Sequence, residues 1–302
     1  MNKSVLIIDD EQTQVKNLSK ALSEKLQDVN FISAYAEDEI LSAINNKFYS
    51  LAIVDLRMDK YKFDGIELIQ KIVEINPFAK IIVISAFTQE YMDKLKTFML
   101  AGKIVDVIEK IEFNKWIDKI TNTINQYYQT VMEDSSPLKS ALLQHYADAK
   151  NEQDTFKKGE QFESFVSLLF GNIGYKDIRR RIIDKSRNEI DLIVRNEIDD
   201  LFLNKLGNYF LIECKNKPEE TVGKNDFIQF KSKLENTNGL AHFGFLFTSG
   251  HIAKTTYLEA VRTSATPQKI VFFSNSEIER LIMADDTKAE FKNIIDEQVK
   301  DN

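Results

Sequence analysis

Residues 4–125 alternate short apolar strands with amphipathic helices, and no other feature of this chain restricts its fold as tightly. Strands are predicted at Ser4–Asp9, Asn30–Ala34, Ser50–Leu56, Lys80–Ser85 and Ile104–Glu109, with helices starting near Glu11, Glu37, Asp64, Gln89 and Glu112. Strand–helix alternation requires crossover connections, so the strands must run parallel with helices over both faces of the sheet. The expected architecture is α/β, a doubly wound five-stranded parallel domain. Sheets of this kind place ligands at the carboxyl ends of their strands.

Those carboxyl ends carry the polar residues. Asp9 and Asp10 end the first strand, Asp55 the third and Ser85 the fourth, and Lys110 follows the fifth. Neighbouring carboxylates repel one another unless a divalent cation lies between them. A carboxylate held on such a cation can attack a phosphoryl donor, with Ser85 and Lys110 meeting the oxygens of the transferred group. The set resembles the receiver domain of two-component response regulators over residues 1–127, and Asp55-Leu56-Arg57-Met58 matches that family's Asp-x-x-Met. The resemblance implies phosphorylation of Asp55 by a sensor histidine kinase. It implies Mg²⁺ on Asp10, Asp55 and the backbone carbonyl of Arg57, with Asp9 assisting through water, and Ser85 and Lys110 as switch and phosphate contacts. The chain departs from the family in three places. The loop from Asp55 to Gly65 is about two residues longer than usual in that family. Ile111 follows Lys110 where the family has proline, and Val107 stands in place of the aromatic switch residue.

Phe113, Ile117, Ile120, Ile124, Tyr127 and Val131 recur at heptad spacing. Up to Ile120 they suit the inner face of a helix on its own sheet. Beyond Ile124 the stripe is expected to meet a partner helix. Ser136 and Pro137 then cap a new helix, so residues 128–154 are expected to form a helical linker before a second domain at 155–302.

In that second domain a helix over Phe156–Phe170 precedes strands at Asp177–Ile183, Glu189–Arg195 and Tyr209–Lys215. A helix from Asn225 to Leu234, a strand at His242–Thr248, a helix from Ile252, a strand at Lys269–Phe273 and a helix from Glu277 follow. The strand ending Leu211-Ile212-Glu213-Cys214-Lys215 puts Glu213 and Lys215 on one face, and Asp191 lies 22 positions earlier in another apolar segment. Two carboxylates and an ammonium at strand ends are what metal-assisted phosphodiester hydrolysis needs. Gly159-Glu160-Gln161-Phe162-Glu163, Asp191, Glu213-Cys214-Lys215, Gln229 and Phe247-Thr248-Ser249-Gly250 resemble the Mrr-like branch of the PD-(D/E)XK nucleases. The resemblance implies a restriction-endonuclease-like α/β core with a mixed sheet. It also implies Mg²⁺ or Mn²⁺ on Asp191, Glu213 and the carbonyl of Cys214, with Lys215 catalytic and Glu163 and Gln229 assisting. Lys233 stands where an apolar or aromatic partner of Gln229 is expected.

A net charge of −7 works against sequence-independent nucleic-acid affinity, so a weak DNA binder is expected until pairing concentrates it. Immediately before Asp191, however, Arg179, Arg180, Arg181, Lys185 and Arg187 form a basic run that could track a phosphate backbone; a charged, solvated strand edge is the competing reading. One cysteine excludes internal disulfides and cysteine zinc sites, and no apolar run is long enough to span a bilayer. The amino terminus offers no signal-peptide cleavage site, so a cytoplasmic protein without membrane contact is expected. Together the two resemblances imply a response regulator with a Mg²⁺-dependent DNA endonuclease output that acts on double-stranded DNA and forms a homodimer on phosphorylation. The rivals are a regulator that binds DNA without cutting it, and an RNA nuclease or nickase.

Overall fold

The computed structural model describes residues 3–86, 88–110, 112–183 and 189–300. They form two compact units, Met1–Leu138 and Lys139–Asn302.

The first unit is built on β1 (Ser4–Ile8), β2 (Asn30–Ala34), β3 (Leu51–Asp55), β4 (Lys80–Ser85) and β5 (Ile104–Glu109), all parallel in the order β2-β1-β3-β4-β5. Every residue of β1 and β3 is buried, as continuous apolar runs covered on both faces must be. Leu6, Ile8, Ala52 and Val54 face Ile40 and Ile44 of α2 (Glu37–Asn46), Leu68 and Ile72 of α3 (Gly65–Ile75) and Leu95 of α4 (Thr88–Leu100). Val5, Ile7, Leu51 and Ile53 face α1 (Gln12–Lys25) and α5 (Phe113–Glu133). Side-chain direction alternates along each strand, so both layers are filled from the same short segments.

Gly65 fixes the start of α3 against the end of β3. A Cβ at this position would lie 2.1 Å from the Asp55 carbonyl oxygen, so any larger residue would push α3 off the strand that carries Asp55. A reciprocal cap secures the same turn: Glu67 N–H donates to Asp64 Oδ1 at 3.0 Å and Asp64 N–H to Glu67 Oε2 at 3.2 Å.

The expected partner-facing stripe on α5 is corrected by the structure. Ile124 is fully buried in the first unit's own core, beside Trp116, Ile117, Ile120 and Tyr128. Tyr127 donates its hydroxyl to the Ser50 carbonyl at 3.1 Å and Tyr128 to the Ser4 carbonyl at 3.1 Å. The helix outruns the strands, but two tyrosines reach the backbone at their amino-terminal ends and cover what the sheet alone would leave bare. The exposed member of the stripe is Phe113, at its start.

The second unit holds α6 (Ser136–Asn151, shared at its first turn with the first unit), α7 (Thr155–Ile173), β6 (Asp177–Ile183), β7 (Glu189–Arg195) and β8 (Tyr209–Lys215). Then come β9 (Thr221–Val222), α8 (Lys224–Glu235), β10 (Phe243–Thr248), β11 (His251–Ile252), α9 (Lys254–Arg262), β12 (Lys269–Phe273), α10 (Asn275–Met283) and α11 (Thr287–Lys300). The main sheet is mixed, in the order β12-β10-β8-β7-β6: β12, β10 and β8 run parallel, and β7 is antiparallel to both of its neighbours, β8 and β6. One face is aromatic, where Phe170, Phe245, Phe273 and Phe291 meet ring to ring. The other packs Leu211 and Leu246 under Phe227, Phe230 and Leu234 of α8.

The segment expected as a linker over 128–154 divides between the units. Its first residues belong to α5, and α6 packs on α7, with Tyr146 stacked on Phe165 at 4.9 Å and donating to Asn275 Oδ1 at 2.8 Å. His145 of α6 lies against Phe165, and burial lowers its pKa from 6.5 to about 4, against a smaller opposing pull from Asp148. The unfolded chain therefore takes up this proton about two and a half pH units before the folded one does. Stability contributed by neutral His145 is intact above pH 6.5 and is lost as pH falls toward 4, by up to about 3 kcal/mol. His145→Phe should flatten that part of the denaturation-versus-pH curve, measured by urea melts; an unchanged slope would show that the imidazole protonates freely in the fold.

Candidate functional site

Each unit gathers ionisable side chains at one edge of its sheet. In the first, the carboxyl ends of β1, β3 and β4 and the residue after β5 bring together Asp9, Asp10, Asp55, Ser85 and Lys110. Asp9, Asp10 and Asp55 are all buried. Lys110 Nζ donates to Asp55 Oδ2 at 2.6 Å, Asp9 Oδ2 at 2.7 Å and Gln14 Oε1 at 2.9 Å, which uses all three of its protons. The Lys110 backbone N–H donates to the Ser85 carbonyl at 3.0 Å, locking the end of β5 beside β4. Asp55 is raised from 3.8 to about 6 by burial, with Asp9 adding repulsion and Lys110 offsetting part of both. One ammonium thus leaves the three carboxylates under-neutralised.

Sequence reasoning missed two residues here. Gln14 lies one turn into α1 and carries no motif. Lys60 lies in the lengthened loop after Asp55: its backbone N–H donates to Asp10 Oδ2 at 3.0 Å, and its ammonium donates to the Asp10 carbonyl at 2.9 Å and pairs with Glu11 at 2.6 Å. The extra length was the available signal. Arg57 turns its guanidinium to Asp59 at 2.8 Å. Val107 is half-buried against the core, and Ile111 lies outside the described residues.

In the second unit the β7–β8 ladder ends at Leu192 and Ile212. One position further, Asp191 replaces the ladder with its side chain: Oδ2 accepts the Cys214 N–H at 2.7 Å. Asp191 and Glu213 therefore end side by side on adjacent strands. Glu213, 3% exposed, is gripped from both sides, by Lys215 Nζ at Oε1 (2.7 Å) and Lys233 Nζ at Oε2 (2.7 Å). Asp191 is raised from 3.8 to about 7, first by burial and then by the charge of Glu213. Burial alone would lower Lys215, but Glu213 outweighs it and the ammonium is held above its ordinary value.

Glu163 of α7 is buried beside this pair, and burial raises its carboxyl. Its Oε2 accepts Arg181 Nε at 2.8 Å, and the same guanidinium reaches Glu160 at 2.8 Å. Arg181 has a positive φ of 52°, and the β6–β7 pairing skips it between Arg180–Leu192 and Ile182–Ile190. That irregularity turns the side chain toward α7. Of the basic run, Arg181 is thus engaged by carboxylates, Arg179 is exposed on edge strand β6 and Arg180 is half-buried; Lys185 and Arg187 lie outside the described residues. Gln229 is exposed on α8, one turn before Lys233. Cys214 supplies its backbone to the site, and burial pushes its thiol well up, away from reactivity.

Among the described residues no three His, Cys, Asp or Glu side chains stand ready around a cation's place. In both pockets ammonium groups lie among the acids instead. The donors fit a hard divalent cation nonetheless: they are carboxylate oxygens, and the burial and neighbouring negative charge that raise Asp55 and Asp191 are what such an ion offsets. No helix among the described residues is long and apolar enough to cross a membrane.

Residues 5–121 match the family model of the response regulator receiver domain, and residues 157–282 match that of a restriction endonuclease. No curated protein matches the chain. Among solved structures, a response regulator receiver domain protein from Methanospirillum hungatei JF-1 is similar at 23% identity, over 43% of this chain and 99% of that one, with a TM-score of 0.35. The receiver domain of the Francisella response regulator 1452 gives the same figures. A receiver domain protein from Clostridium thermocellum is 21% identical over 42% of this chain and 98% of its own, with a TM-score of 0.33.

Proposed function

We propose that this chain, which joins a response regulator receiver domain to a restriction-endonuclease-like domain, cuts double-stranded DNA under the control of phosphorylation at Asp55. The observation that carries the reading is the pairing of Asp191 and Glu213 at neighbouring strand ends with Lys215 on Glu213 at 2.7 Å. Buried acids set against one another are costly in a purely structural role, so a function that needs them is the better account. Asp191, Glu213 and the Cys214 carbonyl would hold Mg²⁺ or Mn²⁺, which would polarise the scissile phosphate. Lys215, a quarter exposed, holds and orients the attacking water from the open side of the site. Exposed Arg179 meets the backbone phosphates along edge strand β6.

In the receiver, Asp10, Asp55 and the Arg57 carbonyl would hold Mg²⁺, with Asp9 assisting. A sensor histidine kinase supplies the phosphoryl group, and Lys110 leaves Asp55 to meet the new oxygens. The added charge of roughly −2 biases the receiver toward a form that pairs with a second copy. With α5 committed to its own core, the surface that supports pairing is the exposed apolar set of α4, β5 and the start of α5: Met92, Met99, Leu100, Val105 and Phe113. Two copies bring two nuclease sites to the two strands of the duplex.

Supercoiled plasmid incubated with the protein and Mg²⁺ tests the reading, with and without beryllofluoride as a phosphoryl mimic. Linear product that rises with beryllofluoride is the expected result. DNA retained on the protein but uncut would favour the binding-only regulator; nicked circles alone would favour a nickase.

A further inference from the structure

Lys233 belongs to no part of the motif that marks the site, yet it makes one of the site's shortest contacts. It rises from the last turns of α8, four residues beyond Gln229, and places Nζ 2.7 Å from Glu213 Oε2. Lys215 already holds the other oxygen of the same carboxylate at 2.7 Å. Both oxygens of the principal acidic ligand are therefore taken by ammonium groups. Lys233 also stands close enough to Asp191 to offset part of its charge. Its side chain is 22% exposed, so the ammonium has a path to solvent and can leave without disrupting the core.

Each glutamate of the cluster already has a partner: Arg181 serves Glu163 and Glu160, and Lys215 and Lys233 share Glu213. A divalent cation entering this cluster competes with the ammonium groups for Glu213, because like charges crowded on one carboxylate repel and each oxygen already carries one. Lys215 is needed beside the attacking water. Lys233 is the ammonium free to give way, because it holds Oε2 and leaves the Lys215 contact at Oε1 in place. Resting on the nuclease reading above, we infer that Lys233 is a positioning residue that holds Glu213 until the divalent ion takes its place, and so sets the metal concentration the nuclease requires. A metal-free site is thereby kept ordered, and the ion enters by exchange for a tethered cation.

The test is Mn²⁺ binding to the full-length protein, followed by electron paramagnetic resonance, for wild type, Lys233→Met, Lys233→Arg and Asp191→Asn. Asp191→Asn identifies the nuclease ion as the one it removes, and Asp10→Asn identifies the receiver ion. Lys233→Met should tighten the nuclease ion about tenfold and leave the receiver ion unchanged; Lys233→Arg, which keeps the charge, should stay near wild type. In plasmid cleavage the Mg²⁺ concentration for half-maximal rate should fall by a similar factor, with the maximal rate changed far less. A purely structural lysine would lower the melting temperature of Lys233→Met and leave the Asp191-dependent affinity alone, and that result would overturn the inference while sparing the nuclease reading. Weaker Mn²⁺ binding in Lys233→Met would overturn it too. If Asp191→Asn removed no ion from wild type, the nuclease reading itself would fall, and this inference with it.

Discussion

Lys215→Ala should cost plasmid cleavage on the order of a thousandfold or more, with fold and Asp55 phosphorylation preserved. The loss follows from position. Lys215 is the ammonium at the open carboxyl end of β8, 25% exposed, and it can pass from Glu213 to a water or a phosphate oxygen. The preservation of the fold follows from Lys233. With Lys215 gone, buried Glu213 keeps its partner at Oε2 and is not left as an uncompensated charge. Glu213→Ala is a harsher change, since it strips both lysines of their acid and empties the metal site together. Asp191→Ala removes a ligand and also frees the Cys214 N–H from its acceptor, so it should cost cleavage and some local order at the β7–β8 junction. EDTA should stop wild-type cutting, and Ca²⁺ should support DNA binding better than turnover. The measurement is the rate of loss of supercoiled plasmid, with circular dichroism as the control for folding. Near-wild-type cutting by Lys215→Ala would refute the nuclease assignment.

The parts legible in the sequence were those written in local periodicity. β2, β3, β4, β5, β6, β7, β8 and β12 fall within a residue of where the apolar pattern places them, and these strands carry Asp55, Ser85, Asp191 and Glu213. A strand's side-chain period leaves little freedom once its neighbours are buried on both faces. The Glu213–Lys215 pair could be read because both residues lie on one strand, two positions apart. Glu213–Lys233 could not: it joins β8 to α8 across 20 residues, and only the packing of Phe230 and Leu234 on the sheet sets which turn of α8 faces Glu213. Arg181 was hidden for a related reason. Within a basic run it resembles its neighbours, and only the skipped pairing at a positive φ turns it to Glu163. The end of α5 was misread because apolar and aromatic residues beyond a sheet suggest a missing partner. A tyrosine carries its own solution, an apolar ring with a hydroxyl that can satisfy a strand-end carbonyl, and Tyr127 and Tyr128 use it.

Asp55→Ala should abolish the response to a phosphodonor and leave a receiver that folds at least as well as wild type. Asp55 is buried and raised to about 6, so at neutral pH its ionised form is held at a cost that the alanine variant escapes. Lys110 would not be orphaned by the change, because Asp9 at 2.7 Å and Gln14 at 2.9 Å still accept from it. What disappears is the attacking oxygen, the carboxylate at the centre of the pocket between Asp9, Asp10, Ser85 and Lys110. The same elevated pKa gives the reaction a pH dependence with a definite sign. In the proposed reaction the nucleophile would be the ionised carboxylate, which is also the form that would hold Mg²⁺. Phosphorylation by acetyl phosphate should therefore fall as pH drops below about 6, and at low Mg²⁺ the fall should begin at higher pH than at saturating Mg²⁺, because bound metal holds the proton off. Phosphoprotein gels across a pH series report this directly, and plasmid cleavage with beryllofluoride reports the coupled output. A nuclease rate raised equally by beryllofluoride in wild type and in Asp55→Ala would remove Asp55 from the control of this protein, whatever its receiver binds.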